Sequence, residues 1–254
     1  MEIIPIKSPL IKLKDDLFEV FLHSVKRLRI LPAENSIIVI ASKVVSMSEG
    51  RVIDLRKIKP SKRARSLRLR RYGSYAPDPR FTELVLREAD KFWPSEMFLT
   101  IKDGIFAPSA GIDTSNAPKN HAILWPADAY ASAEKFLKKL KTRFHLRHAG
   151  VIIADSFIAP LRQGVTSIAI GYAGFEGVQD LRGRRDLYKN RLHSTQKNLA
   201  DSLATAASIF MGEADERTPF VIIKNAPVKF TDKKISPKEI KTPAKKCLFR
   251  VLYK

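Results

Sequence analysis

A single cysteine, Cys247, occurs among the 254 residues, so no intramolecular disulfide can brace the fold and no thiolate zinc cluster can be built from this chain alone. Its plain reading is a small apolar side chain. Long apolar runs are missing too: the longest, 37–41 and 149–154, fall far short of the roughly 18 residues that cross a bilayer. Met1-Glu2-Ile3-Ile4-Pro5 carries an acid and a proline where a signal peptide carries basic and then apolar residues, so a cytoplasmic protein with no membrane segment is expected. Acids are scarce, with 26 Asp and Glu against 46 Lys and Arg, a formal charge of +20. Such a surplus attracts polyanions, among them nucleotides, polyglutamates and nucleic acids, before it says anything about chemistry. It is concentrated in two places. Residues 56–71 hold nine Lys or Arg and no acid, and residues 224–254 hold ten against Asp232 and Glu239. A solvated helix face or tail accounts for such stretches as readily as a binding surface does.

Several signatures are absent as well. There is no G-x-x-x-x-G-K-[ST] loop, no G-x-G-x-x-G after the first strand and no H-E-x-x-H, which excludes P-loop chemistry and removes support for a dinucleotide fold or a helix-borne zinc site. Without G-x-S-x-G, nucleophilic hydrolysis is disfavoured. The five histidines, at positions 23, 121, 145, 148 and 193, have no zinc-ligand spacing and read as structural or solvated.

What is present alternates strands with helices. Residues 3–6 and 36–41 read as strands, the second continuous rather than alternating, as expected for cover on both faces. Between them Leu17, Val20, Phe21 and Val25 recur at helical spacing. A proline-started basic helix is expected over 60–71, an amphipathic one over 79–92, and a hairpin whose strands, 97–101 and 105–107, flank Lys102-Asp103-Gly104. Strands follow at 121–125, 150–154, 166–170 and 220–223, with helices at 128–144 and 195–211. The fold class is therefore mixed α/β, with two interleaved lobes expected. Residues 1–232 form the expected body and 233–254 a basic appendage with two proline-started turns.

Three acids stand at the ends of buried elements rather than on polar helix faces: Asp113 in Ser109-Ala110-Gly111-Ile112-Asp113-Thr114-Ser115-Asn116, Asp155 after 151–154, and Glu213 after Met211-Gly212. An acid at the carboxyl end of a buried strand lies where α/β sheets place ligands. Hard cations such as Mg²⁺ take oxygen ligands, so these acids with Ser156 form a candidate metal site. Each acid alone is as well read as a turn or helix-cap residue.

Taken together the motifs form a recognisable series: Ser42-Lys43-x-x-Ser46-x-x-Glu49-Gly50-Arg51, Pro60-Ser61, Ala110-Gly111-Ile112-Asp113-x-Ser115-Asn116, Asp155-Ser156, Arg162-Gln163-Gly164, Ala169-Ile170-Gly171, Arg182-Gly183-x-x-Asp186-Leu187-Tyr188, Ala200-Asp201 and Met211-Gly212-Glu213. In order and rough spacing the chain resembles the F420-0:glutamate ligase family over about residues 3–224. The resemblance implies a cytosolic ligase that uses GTP, with ATP as a second possibility, and Mg²⁺ or Mn²⁺ to join L-glutamate to an anionic carboxylate acceptor, working as an intertwined homodimer. Asp113, Asp155, Ser156 and Glu213 would hold the metal, and Asp113, Asp155 and Arg162 would act in catalysis. Ser8, Pro9, Leu10, Ile11, Ser42, Lys43, Asn116, Met211, Gly212 and the segment after them would bind the nucleotide. Met47 stands where many members place a second lysine, and Phe157-Ile158-Ala159-Pro160-Leu161 replaces a frequent Gly-Arg. The acceptor is left open among F420-0, a folate and a growing glutamate chain. The competing class is a basic nucleic-acid-binding protein whose acids are structural. The stretch 56–71 has no interleaved aromatic, which gives base stacking little support and makes a nucleic-acid partner the weaker expectation.

Overall fold

The computed structural model describes residues 1–67, 77–94 and 98–252. In chain order its elements are β1 (Glu2–Ile6), α1 (Leu17–Leu28), β2 (Ser36–Ala41), α2 (Ser42–Glu49), β3 (Val52–Asp54), α3 (Lys62–Ser66), α4 (Pro79–Glu88), β4 (Lys91–Trp93), β5 (Leu99–Lys102), β6 (Ile105–Pro108), β7 (His121–Ile123), α5 (Ala129–Phe144), β8 (Ala149–Phe157), β9 (Thr166–Ala173), β10 (Val178–Asp180), β11 (Gln196–Asn198), α6 (Leu199–Met211) and β12 (Phe220–Lys224). Short 3-10 turns lie between them. The mixed α/β class expected from the sequence is what the chain adopts. No helix among the described residues is long and apolar enough to cross a membrane.

A five-stranded sheet in the order β1-β12-β2-β8-β9 organises the molecule, with β2 and β8 its one parallel pair among the described residues. Ile38, Ile40, Val151, Ile153, Phe220 and Ile222 face α1 and α5, meeting Phe18, Phe21, Val25, Phe136 and Leu140. Ile37, Val39, Ile152, Val221 and Ile223 face α6, meeting Ala200, Leu203, Ala204 and Ala207. Both faces are covered, so β2 and β12 read as unbroken apolar runs. Burying a side chain such as Phe21 or Val25, each 0% exposed, contributes roughly 1.5–3 kcal/mol. The helices start where local chemistry allows: Asp16 accepts from the amides of Phe18 and Glu19, and Asp128 from Ala131.

A third core of Leu55, Leu84, Val85, Phe98, Ile112 and Leu124 lies beneath α4, the β3–β7 pair and the antiparallel sheet β4-β5-β6. Here the structure corrects several boundaries. The helix expected over 79–92 ends at Glu88, and Phe92 belongs to β4. Ala89 is extended, and the Asp90 amide donates to the Ile101 carbonyl at 2.8 Å, pulling the chain into the sheet. The Phe92 ring then lies 5.1 Å from Phe98. The basic helix expected over 60–71 runs over Lys62–Ser66, capped by Ser61, and its expected end lies outside the described residues, as does Met97 of the hairpin. The helix expected over 195–211 starts at Leu199, because Gln196–Asn198 pairs with Val178–Asp180 and the Asn198 side chain accepts from the Asp201 amide. The strand expected over 121–125 stops at Ile123. Those expected over 150–154 and 166–170 run on to Phe157 and Ala173, so Asp155 and Ser156 lie within a strand rather than after one.

A bulge in the β8–β9 ladder explains one glycine. Ile153 opposes Gly171 and Ala154 opposes Ala169, leaving Ile170 unmatched. The Ala169 amide donates to the half-buried Asp201 carboxylate at 2.9 Å. Gly171 thereby faces the start of α5, where a Cβ would stand 2.4 Å from the Ala129 carbonyl carbon. After β12 the chain stays on the body. Ile235 is buried in the second core, Glu239 accepts from the Tyr172 hydroxyl and the Gly177 amide, and Lys241 donates to the Asp103 carbonyl.

Candidate active site

The parallel pairing of β2 with β8 ends at Ala41 and Ala154, where β2 stops and β8 runs on, and the candidate site residues gather at that edge. β2 runs straight into α2, placing Ser42 and Lys43 in its first turn. No side chain caps that turn, so its first amide hydrogens have no side-chain acceptor. β8 carries Asp155 and Ser156 past the same edge on opposite faces of the strand. The cleft, about 430 Å³, lies at this end and is lined on its far side by residues 211–219 at the end of α6.

Ser8, Pro9, Leu10, Ile11, Ser42, Lys43, Asn116, Met211 and Gly212, the residues expected to contact a nucleotide, all line this one cavity, with Asp155, Ser156 and Glu213. Backbone bonds hold the segments together: the Ser8 amide donates to the Arg217 carbonyl at 2.9 Å and the Ala41 amide to the Pro219 carbonyl at 3.0 Å. Asn116 bridges from the other side, its side-chain amide donating to the Ala214 carbonyl at 3.0 Å. Gly212 has φ 75°, and a Cβ there would meet the Glu216 carboxylate at 2.1 Å, so this turn needs glycine.

Asp155 is held at both carboxylate oxygens. Its Oδ1 accepts from the Ser42 hydroxyl at 2.6 Å and its Oδ2 from the Trp125 indole N–H at 2.7 Å. Burial nonetheless dominates and pushes its pKa up to about 6, against the lowering effect of those two bonds and of Lys43. Asp113 behaves oppositely. Burial raises it, but the Lys43 ammonium, 2.8 Å from Oδ2, and the bonds from Ser115 outweigh burial and hold it below the ordinary carboxylate range. Lys43 also donates to the Ser115 hydroxyl at 2.8 Å, so this lysine ties the Asp113 loop to the start of α2. Ser156 donates to the Glu213 carboxylate, at 3.0 and 3.1 Å from its two oxygens, joining β8 to the end of α6.

The donor set is oxygen only, with carboxylates at Asp113, Asp155 and Glu213 and the Ser156 hydroxyl. Among the described residues no three His, Cys, Asp or Glu side chains cluster into a complete cage. One or two carboxylates with open positions suit Mg²⁺ or Mn²⁺, which keep waters and take phosphate oxygens, so the residues present fit such an ion.

Arg162 is not brought into the cleft. It lies in the exposed loop between β8 and β9. Trp125, conversely, went unmarked in the sequence. Its signal sits in Gly111, at φ 68°, where a Cβ would stand 2.2 Å from the indole: the glycine lets the ring reach Asp155. Ser167, which donates to the Asp155 carbonyl at 2.8 Å, carried no signal at all.

The model of the F420-0:Gamma-glutamyl ligase family matches residues 5–225. The chain is 38% identical over 213 residues to the coenzyme F420:L-glutamate ligase of Methanopyrus kandleri, covering 83% of this chain and 81% of that protein. It is 39% identical to the proteins of the same name from Methanocaldococcus jannaschii, over 81% of this chain and 83% of that one, and Methanothermobacter thermautotrophicus, over 76% of each. With the match running through the parallel-strand edge, the Asp113 loop and the end of α6, the chain belongs to the F420-0:gamma-glutamyl ligase family, a family of amide-bond-forming ligases.

Proposed function

We propose that the cleft binds a nucleoside triphosphate, GTP in first place and ATP in second, with Mg²⁺ or Mn²⁺, and uses it to join L-glutamate to an anionic carboxylate acceptor such as F420-0, a folate or a growing glutamate chain. The observation that carries this reading is the convergence, at one edge, of the uncapped start of α2, the Lys43–Asp113 pair and the enclosed Asp155. A helix start with a lysine in its first turn suits phosphate oxygens, since amide hydrogens, dipole and ammonium all favour negative charge. Pro9, Leu10, Ile11, Val44 and Met211 supply apolar wall for a base.

A carboxylate is a poor acyl donor. An acceptor carboxylate oxygen attacks the γ-phosphorus, the bond to the β-phosphate oxygen breaks and the nucleoside diphosphate leaves, giving an acyl phosphate. The glutamate amine, having shed a proton from its ammonium form, then attacks the acyl carbon, phosphate leaves, and an amide remains. Lys43 neutralises charge spread over the transferring phosphoryl oxygens, and Ser42 and Trp125 hold the Asp155 carboxylate in one orientation. Asp113, Asp155, Ser156 and Glu213 would hold the divalent ion, which when bound supplies positive charge against the phosphates. The protein acts as an intertwined homodimer with interleaved lobes in this reading. The test is to incubate purified protein with GTP or ATP, Mg²⁺ and L-glutamate, with and without each acceptor, and weigh the products. An acceptor heavier by one glutamyl unit, formed only with nucleotide and metal, is expected; nucleotide- and metal-independent addition, or none, refutes the reading.

A further inference from the structure

Asp113 and Asp155 come from different parts of the fold, and one short stretch of chain touches both. At the end of β7 the Asp113 amide donates to the Ile123 carbonyl at 3.0 Å, and the Ile123 amide donates back to the Asp113 carbonyl at 2.8 Å. Two residues on, the Trp125 indole donates to Asp155 at 2.7 Å. The stretch 123–125 is thus a strut between the two acids. Arg51 grips it twice: its carbonyl accepts from the Leu124 amide at 3.0 Å, and its Nε donates to the Trp125 carbonyl at 3.1 Å. We propose that Arg51, which does not line the cleft, is a positioning residue for the divalent-metal site, acting on Asp155 through Trp125 and on Asp113 through the backbone of the strut. The proposal rests on the ligase reading above and names a residue on which that site depends.

Arginine suits the task because a guanidinium presents its N–H groups in a rigid planar fork and can serve two acceptors at a fixed angle. While Nε serves the Trp125 carbonyl, Nη2 lies 3.3 Å from a carboxylate oxygen of Glu88, the last residue of α4. Lys102 of β5 holds Glu88 in turn, 3.2 Å from the same oxygen and 3.2 Å from the Glu88 carbonyl that it donates to. The Arg51 amide donates to the Ser46 carbonyl at 2.8 Å as α2 ends, so the same residue is tied to the helix that carries Ser42 and Lys43.

Trp125 has little freedom to make up for a loosened backbone. It is 5% exposed, and its ring fills the space that Gly111 leaves, so a shift of residue 125 carries the indole N–H away from Asp155. Removing a group that orients a metal's ligands typically costs about 10–100-fold in affinity. Arg51 acts one step further out, through Trp125, which sets the expected loss at the lower end of that range.

Mn²⁺ binding to the full-length chain in saturating GDP is measured by calorimetry, and the paramagnetic resonance spectrum of the bound ion reports its surroundings. The native protein is compared with Arg51→Met, Arg51→Lys and Leu84→Ala. Leu84 belongs to the third core and its side chain makes none of these bonds, so its truncation lowers the melting temperature through a cavity alone. Arg51→Met is expected to bind Mn²⁺ about tenfold more weakly, with an altered spectrum. Arg51→Lys, which keeps the charge but loses the fork, should fall between it and the native protein. Leu84→Ala should melt lower yet keep the native Kd and spectrum. A native Kd in Arg51→Met overturns the proposal, and so does an equal loss in Leu84→Ala, which would make the effect one of general stability. Should Arg51→Met not fold, Arg51→Lys decides, and a native Kd and spectrum there overturn the proposal while the ligase reading stands. A native protein that binds no Mn²⁺ removes the ligase reading first and the role of Arg51 with it.

Discussion

Asp155 is the side chain on which most of the candidate chemistry turns. A metal ion binds its ionised form, and burial has moved its titration up to about 6. Mn²⁺ affinity measured by calorimetry is therefore expected to weaken about tenfold between pH 7 and pH 5, because about one site in ten stays ionised a unit below the pKa. Stability without metal runs the other way. A folded-state pKa raised above the unfolded value favours the protonated form, so this group's contribution is fully present below about pH 4 and is lost as pH rises through about 6. Asp155→Asn removes that penalty. The Trp125 indole still has an oxygen to donate to, and the Ser42 hydroxyl can turn to accept from the new amide. A metal-free melt at pH 7 should show the variant melting no lower than the native protein while ligation is abolished. Turnover near the native level at low Mg²⁺ would remove Asp155 from the metal site.

Helix α2 and strand β9 show how an element can be set by its neighbours. Gly171→Ala would push a methyl group into the Ala129 backbone, where nothing flexible can yield, and overpacking of this kind costs about 1–3 kcal/mol in a denaturant titration. An unchanged midpoint would mean that the bulge, not the α5 approach, fixes this residue. On α2, Met47 lines the cleft, one turn from Lys43. A cation there would add a phosphate contact, so Met47→Lys should tighten GDP binding several-fold. An unchanged Kd would mean that Lys43 and the α2 amides already supply what the phosphates need.

Across the entire chain two features concern assembly and charge. The C-terminal segment ties the Tyr172 and Gly177 region of the main sheet to Asp103 at the turn between β5 and β6. Ile235→Ala empties a site that is 6% exposed in the second core and should cost about 2 kcal/mol or more. A loss below half of that would mark the segment as loosely attached. The chain's formal charge is +20. A ligase that adds glutamates gives its product one more negative charge each cycle, and a positive field holds longer products better. Screening over about 8 Å at physiological ionic strength should shorten the product ladder as salt rises, with single addition in the enclosed cleft less affected. A ladder whose length ignores salt would leave the charge with no part in catalysis.

The amino-acid order alone carried the strands expected at 3–6, 36–41 and 220–223, the helical spacing from Leu17 to Val25 and the helix expected over 128–144, and the acids and glycines that line up with the ligase family, because local periodicity and turn geometry are written within a few residues. It could not mark where α4 gives way to β4, since a short apolar stretch suits either state until Phe98 and Ile101 supply a partner. Nor could it find Trp125 beside Asp155, thirty positions away, or the bulge that turns Gly171 toward α5. The shift of one carboxylate up and another down was equally hidden. Asp113 and Asp155 are the same residue type, and only the folded surroundings, a lysine against one and enclosure around the other, separate them.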